Sequence, residues 1–211
     1  MYEIIASGGL VGLIIFFLSL ASVALVVDQA RTLRKKVLLP QEQVEKLREL
    51  IASGQLQAAD TFCRENPGTL TFIVRMGLQE SDGDWSDMEK TLEDAIGEES
   101  ARLYRRVEFL SVIGNIAPML GLLGTVLGMI TAFQQIAATQ GSAQGPELAR
   151  GIYQALVTTV EGLIVAIPSI GAFAFFRNRI DQLMAEMTYT VQRLFLPLKR
   201  YRRKTRGGKT A

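Results

Sequence analysis

The sequence predicts an all-α membrane protein with three transmembrane helices and a helical cytoplasmic domain. Three stretches are long enough to cross a hydrocarbon core of about 30 Å, namely 8–27, 109–144 and 151–176. The first two contain no charged side chain, and the third contains only Glu161. Helices of soluble proteins seldom run so far without a charge on any face, so these stretches indicate membrane spans.

The first predicted element is an N-terminal transmembrane helix within residues 1–27. A secretory signal would carry basic residues before its apolar part. Here only Glu3 precedes the apolar run as a charged side chain, and four basic residues follow it, at Arg31, Arg34, Lys35 and Lys36. We therefore expect a retained membrane anchor.

Residues 28–108 are expected to form a helical cytoplasmic domain. Pro40 suits a helix start and Gly54 a helix end, and the apolar residues between them recur at helical spacing. Two more helices are predicted, over 55–64 and 70–80. A turn over 81–85 should follow.

Ser86 and Glu89 form a capping-box pattern, which predicts a helix start directly before Asp87. No strong helix breaker appears before Pro118, and a helical apolar stripe continues up to the second span, 109–138. One long helix should therefore begin in the cytoplasm and cross the membrane. Separate helices joined near Gly97 are the alternative.

Glycines line one face of the second span, where Gly124 and Gly128 form a G-x-x-x-G pair and Gly121 lies one turn earlier. Small residues at this spacing let a neighbouring helix backbone approach, so this span should pack against protein. Pro118 lacks a backbone donor and can bend the helix. We expect the glycines to support a homo-oligomer.

The distribution of basic residues predicts the orientation in the membrane. The segment after the first span is basic, and the tail 177–211 holds 10 Lys/Arg against Asp181 and Glu186. The loop 139–150 connects the second span to the third at 151–176. Its only charged residues are Glu147 and Arg150. Cytoplasmic segments carry the excess of Lys and Arg, so the N-terminus is expected outside and the C-terminus in the cytoplasm.

Several function classes have little support. Cys63 is the only cysteine, so no disulfide can form within the chain, and no histidine is present to bind a metal or act as a base. No nucleophile elbow or phosphate-binding loop occurs. We expect neither an enzyme nor a cofactor. The basic tail follows a span, so it indicates topology and attraction to anionic lipids rather than nucleic-acid binding.

Glu161 is the residue that indicates function. A carboxylate at membrane depth is costly and usually has a task, which points to ion or proton movement. The alternative is a neutral, structural carboxyl that holds helices together.

Two stretches resemble the MotA/TolQ/ExbB proton-channel family. They are Ala117 to Met129, with the sequence APMLGLLGTVLGM, and Gly151 to Pro168, with the sequence GIYQALVTTVEGLIVAIP. The match keeps its order and spacing over roughly the last half of the chain. Three spans with a domain between the first two are similar to the ExbB/TolQ branch.

The resemblance implies a subunit of a bacterial inner-membrane motor driven by the proton motive force. It implies a pentamer around two copies of an ExbD/TolR-like single-span partner, and work on the cell envelope. A self-contained ion channel and a non-conducting scaffold are the alternatives. Protons and sodium ions are both compatible with this sequence.

The family's pore threonines correspond to Thr125 and Thr159. Two roles are open for Thr158: it lines the pore, or its hydroxyl bonds a backbone carbonyl one turn back in its own helix. Many family members have a glutamate where this chain has Gln154. At 100° per residue, Gln154, Thr158 and Glu161 share one helix face, and Thr159 lies about 160° away from Glu161. If Thr159 lines a pore, Glu161 should face a neighbouring helix or subunit.

Overall fold

The computed structural model describes residues 9–81, 83–138 and 145–207, and these residues form seven helices. No strand occurs among them, so the all-α prediction is confirmed. In chain order the helices are α1 (Gly9–Thr32), α2 (Lys35–Leu38), α3 (Gln41–Ala52), α4 (Leu56–Glu65), α5 (Thr69–Gln79), α6 (Trp85–Ala138) and α7 (Gly145–Gly207).

The chain divides into two compact units. The described residues of 1–29 and 107–176 form one, which we call the spanning unit, and those of 30–106 and 177–211 form the other, the polar unit. Among the described residues, three helices are long and apolar enough to cross a membrane, namely α1, α6 and the part of α7 that begins at Gly151. The predicted number of spans is therefore confirmed.

A small apolar cluster joins the three helices of the spanning unit. Its buried members come in pairs from α1, α6 and α7, namely Val11 and Ile15, Ile113 and Ala117, and Val165 and Ala166. Large apolar side chains cover the outer faces of the same helices, and Met119, Leu122 and Ile167 are all more than 60% exposed. Exposed apolar area of this extent calls for lipid or for another protein chain.

The polar unit has a core of its own, built from the short helices and from parts of α6 and α7. Fully buried side chains include Leu47, Ile73, Met88, Leu183, Met187 and Phe195. A Cβ placed on Gly77 of α5 would lie 2.6 Å from Leu92 Cδ2 and 3.0 Å from Phe195 Cζ, so α5 packs closely on both long helices. The Tyr104 hydroxyl also donates to the Asp181 carboxylate, and Lys35 pairs with Glu186.

Pro40 and Gly54 mark the two ends of α3, as their chemistry predicts. Pro40 is the N-cap of α3, and Gly54 follows its end with a positive φ of 76°. The Gln55 N–H donates to the Leu50 carbonyl at 2.9 Å and the Gly54 N–H to that of Ile51 at 3.2 Å, which is the Schellman pattern. The bounds of α4 and α5 differ from the predicted ones by a single residue at each end.

The start of α6 differs slightly from its prediction. The Met88 N–H donates to the Asp84 carbonyl, and the Asp84 carboxylate accepts from the Trp85 N–H at 2.8 Å. The helix therefore begins at Trp85, before Ser86. The Glu89 carboxylate accepts from the indole N–H of Trp85 at 3.1 Å. The structure shows this bond in place of the predicted capping box.

Both long helices continue beyond the apolar runs. α6 passes through Gly97 and Pro118 without a break, so the single long helix is confirmed and separate helices meeting near Gly97 are wrong. The predicted loop 139–150 lies partly outside the described residues, and α7 already begins at Gly145. Proline in a first helical turn costs no hydrogen bond, which suits Pro146. α7 then continues through the basic segment to Gly207.

Candidate functional site

The candidate site lies where α6 and α7 of the spanning unit pack without large side chains between them. A Cβ placed on Gly162 would lie 2.5 Å from the Ala117 carbonyl oxygen, and one on Gly121 would lie 2.9 Å from the Thr158 carbonyl oxygen. These distances leave no room for a side chain. The two helices therefore approach backbone to backbone, as small residues in membrane helices allow.

The same contact extends along both helices in antiparallel order. A Cβ on Gly124 would lie 2.7 Å from Thr158 Cβ, one on Gly128 would lie 3.0 Å from Ala155 Cβ, and one on Gly151 would lie 2.9 Å from Ala132 Cβ. These contacts of Gly121, Gly124 and Gly128 are thus with a helix of their own chain. Pro118, which is half-buried, lies next to Ala117 in the same stretch.

The three threonine hydroxyls are bonded differently. Thr125 Oγ1 donates to the Leu122 carbonyl at 2.6 Å, within its own helix. Thr158 Oγ1 donates to the Ala155 carbonyl of its own helix at 2.8 Å, with a longer contact of 3.4 Å to the Gly121 carbonyl of α6. Thr159 Oγ1 donates across the interface to the Gly121 carbonyl at 3.2 Å. This bond is possible because Gly121 brings the α6 backbone close to α7.

Exposure separates the neighbouring threonines. Thr158 is only 2% exposed and lies inside the chain, whereas Thr159 and Thr125 are half-buried. Thr125 is one turn along α6 from Gly121, the residue that accepts the Thr159 bond. The structure therefore places Thr125 and Thr159 near one stretch of α6 backbone, and Thr158 contacts the same stretch from a buried position.

Glu161 is half-buried on α7, between the buried residues Thr158 and Val165 of its helix face. Its Oε2 atom is buried, and no described residue forms a hydrogen bond with it. Thr159 lies on a different face. The carboxyl and the Thr159 hydroxyl are therefore not brought together in the way that one shared pore would require.

Gln154 lies on the Glu161 face of α7 and is half-buried. Its amide nitrogen comes within 3.4 Å of the position that a Cβ on Gly9 of α1 would occupy. The space beside it is a groove of about 480 Å³ lined by residues of α1, α6 and α7. Gln154 and Thr158 both line this groove.

Sequence reasoning missed one polar contact between α1 and α7. Ser22 and Ser169 are buried, and their Oγ atoms are 2.7 Å apart. Ser169 donates to the Val165 carbonyl at 2.7 Å, so Ser22 is left as the donor to Ser169. The available signal was a serine in each of two apolar runs, where the first run offers both Ser19 and Ser22, and this identifies no partner.

Among the residues that the structure describes, no group of His, Cys, Asp and Glu side chains could hold a metal ion. The chain contains no histidine at all. Within residues 109–138 and 151–176 of the spanning unit, the polar side chains are hydroxyls, amides and the carboxyl of Glu161, which can hold water or protons.

Together, fold and site define a polytopic helical membrane protein with isolated polar groups between closely packed spans. Residues 66–189 match the model of the MotA/TolQ/ExbB proton channel family. This match covers more than half of the chain, and the chain belongs to that family, in the ExbB/TolQ branch.

Individual relatives agree. The chain is 39% identical to the biopolymer transport protein exbB1 of Vibrio cholerae, over 47% of this chain and 45% of that protein, so the match spans less than half of that relative. It is 30% identical to an ExbB homolog of Methanothermobacter thermautotrophicus, over 91% of this chain and 71% of that protein. The match to the structure of C. jejuni MotAB covers 92% of this chain and 76% of that chain. The TM-score is 0.53 and the sequence identity 17%, so the two chains share the fold.

Proposed function

We propose that the chain is the channel-forming subunit of an inner-membrane motor, which converts proton motive force into mechanical work on the cell envelope. Family membership and three membrane-spanning helices support this proposal. The partner is an ExbD/TolR-like single-span protein, because the described residues of the spans include polar groups but no continuous proton relay.

The assembly we propose is a homopentamer around two copies of that partner. The glycines of α6 contact α7 of the same chain. We therefore expect the exposed apolar faces of the spans to form the contacts with other chains. Residues 1–27, 109–138 and 151–176 cross the membrane, 139–150 face the periplasm, and 28–108 and 177–211 lie in the cytoplasm. The asymmetry of Lys and Arg supports this orientation.

Thr159 is the residue we assign to the ion path, together with Thr125. The observation that carries the assignment is the bond from Thr159 Oγ1 to the Gly121 carbonyl across the two helices. Because the hydroxyl proton is used in this bond, the lone pairs of a half-buried oxygen remain to accept from water. Such an oxygen can support a hydrated path between the chain and its partner.

Two adjacent threonines provide a matched test of this assignment. Thr159→Val keeps the shape of the side chain but removes the hydroxyl, so partner-dependent work should fall sharply while assembly survives. Thr158→Val removes a buried hydroxyl whose shortest bond, 2.8 Å, is within its own helix and whose contact with the Gly121 carbonyl is longer, 3.4 Å, and we expect it to keep most of the activity. Envelope work in cells that carry each variant and the partner is the measurement.

The alternative functions give different results in the same assay. A self-contained channel would conduct without any partner. A scaffold would tolerate both threonine substitutions. Normal work by the Thr159→Val complex would contradict the path that we assign.

A further inference from the structure

The groove beside Gln154 lies among α1, α6 and α7 of the spanning unit and has a volume of about 480 Å³. Since water in the liquid occupies about 30 Å³ per molecule, this space can hold on the order of ten waters. Glycines keep it open, and four uncharged polar side chains line it, namely Thr131, Gln135, Gln154 and Thr158. A groove with this lining is wettable.

Glu161 lies just beyond the groove along α7. Thr158 is part of the lining, and Glu161 lies three residues further on the same helix face, a rise of about 4.5 Å. Its buried Oε2 atom forms no hydrogen bond with any described residue. An oxygen of this kind is costly unless water reaches it or the carboxyl carries a proton.

Beyond Glu161 the same face becomes apolar. Val165 is the next residue on the face, and it belongs to the buried cluster with Val11, Ile15 and Ala117. Val11 also lines the groove, so the cluster begins where the groove ends. An apolar cluster offers water no hydrogen-bond partner, and it closes the route on that side.

We propose that this groove is a one-sided, water-filled entry through which Glu161 of each chain exchanges a proton with the solution at the end of the spanning unit where α1 begins. The entry lies within a single chain. It therefore goes beyond the proposed motor, since it requires neither a second copy nor a partner.

The chemistry of the site favours a proton over a metal cation. Hard cations in proteins are held by several oxygen ligands. Among the described residues at this groove, Glu161 supplies the only carboxylate, and the polar side chains of the lining are uncharged hydroxyls and amides. A single carboxyl can bind a proton without further ligands.

The test is chemical modification of the purified full-length chain in liposomes, without any partner. A water-soluble carbodiimide with glycine ethyl ester converts a carboxyl that water can reach into an amide, and peptide mass spectrometry reports the rate at each site. We expect Glu161 to be modified, and the modification of that peptide to be lost completely in Glu161→Gln.

Two leucines on α6 give a matched pair for blocking the groove. Leu127 lines it and is 45% exposed, and Leu123, one turn earlier, is not among the lining residues and is 47% exposed. Leu127→Trp should slow the modification of Glu161 several-fold, and Leu123→Trp should leave it unchanged. Equal rates in the two variants, or modification by a lipid-soluble carbodiimide alone, would overturn the entry. Protection of Glu161 by sodium ions would overturn the proton assignment.

A second measurement avoids bulky substitutions. In a Cys63→Ser background, Gln154→Cys should react with a charged, membrane-impermeant thiol reagent, because its side chain lies in the groove. Val160→Cys is the control, since Val160 is exposed on α7 but is not among the residues that line the groove. An unreactive Gln154→Cys would contradict a water-filled entry even if Leu127→Trp failed to fold.

Discussion

At the scale of single residues, side chains of the same type form different hydrogen bonds in the spanning unit. Thr158 and Thr159 are neighbours in sequence, yet the shortest bond of the Thr158 hydroxyl is within its own helix and the Thr159 hydroxyl donates across to α6. The difference follows from the 100° turn per residue, which directs adjacent side chains to different faces. A residue's type is therefore not sufficient to place it in an ion path.

The thiol of Cys63 gives a prediction for the polar unit. Burial, assisted by the nearby Asp60 carboxylate, raises the pKa of this thiol to about 11 from 9.0. The reactive thiolate should thus be about a hundredfold scarcer at pH 8 in the folded chain than in the unfolded chain. Alkylation by iodoacetamide, followed by mass spectrometry, should be slow until the chain is denatured.

The same shift has a consequence for stability. Folding favours the protonated thiol, so this contribution is fully present below pH 9 and is lost as the pH rises through about 11. Cys63→Ser should lack this contribution to the alkaline loss of stability. Rapid alkylation of the native chain at pH 8 would contradict the buried environment of Cys63.

At the scale of helices, α6 and α7 pack through glycines, and this changes the meaning of one prediction. We expected the glycines of the second span to support a homo-oligomer, but Gly121, Gly124 and Gly128 contact α7 of the same chain. Gly124→Leu would therefore disturb the chain itself. A homo-oligomer remains a proposal that rests on other surfaces.

Two glycines of α7 test this packing. A Cβ on Gly162 would lie 2.5 Å from the backbone carbonyl of Ala117, whereas one on Gly171 would meet nothing within 4 Å. Gly162→Ala should destabilise the chain by about 1–3 kcal/mol through overpacking. Gly171→Ala should be neutral or stabilise it by up to about 1 kcal/mol, because alanine favours helix. Thermal unfolding in mild detergent is the measurement, and equal midpoints for both variants would contradict the close approach.

The sequence predicted the elements well where local chemistry decides them. The apolar runs gave the three spans, and Pro40 and Gly54 correctly marked the ends of α3. The partner of each polar side chain was not predictable, because it depends on which helix faces meet in three dimensions. Thus the Ser22–Ser169 contact and the groove beside Gln154 emerged only from the structure.

At the scale of the whole molecule, the proposed orientation can be tested directly. A reporter that is active only outside the cytoplasm should work when fused at Ser142, because the short segment there has few basic residues. It should fail when fused at Asp84 or Lys209, which lie in segments expected in the cytoplasm. The reverse pattern of reporter activity would refute this topology.

In our proposal, ion flow through this chain and its partner depends on the Thr159 hydroxyl. The most direct measurement is proton flux into liposomes that contain the purified complex, driven by an imposed gradient and followed with a pH-sensitive dye. We predict flux for the complex, little flux for the chain without the partner, and a large loss in the Thr159→Val complex but not in the Thr158→Val complex. Equal flux with and without the partner, or undiminished flux in the Thr159→Val complex, would contradict the account.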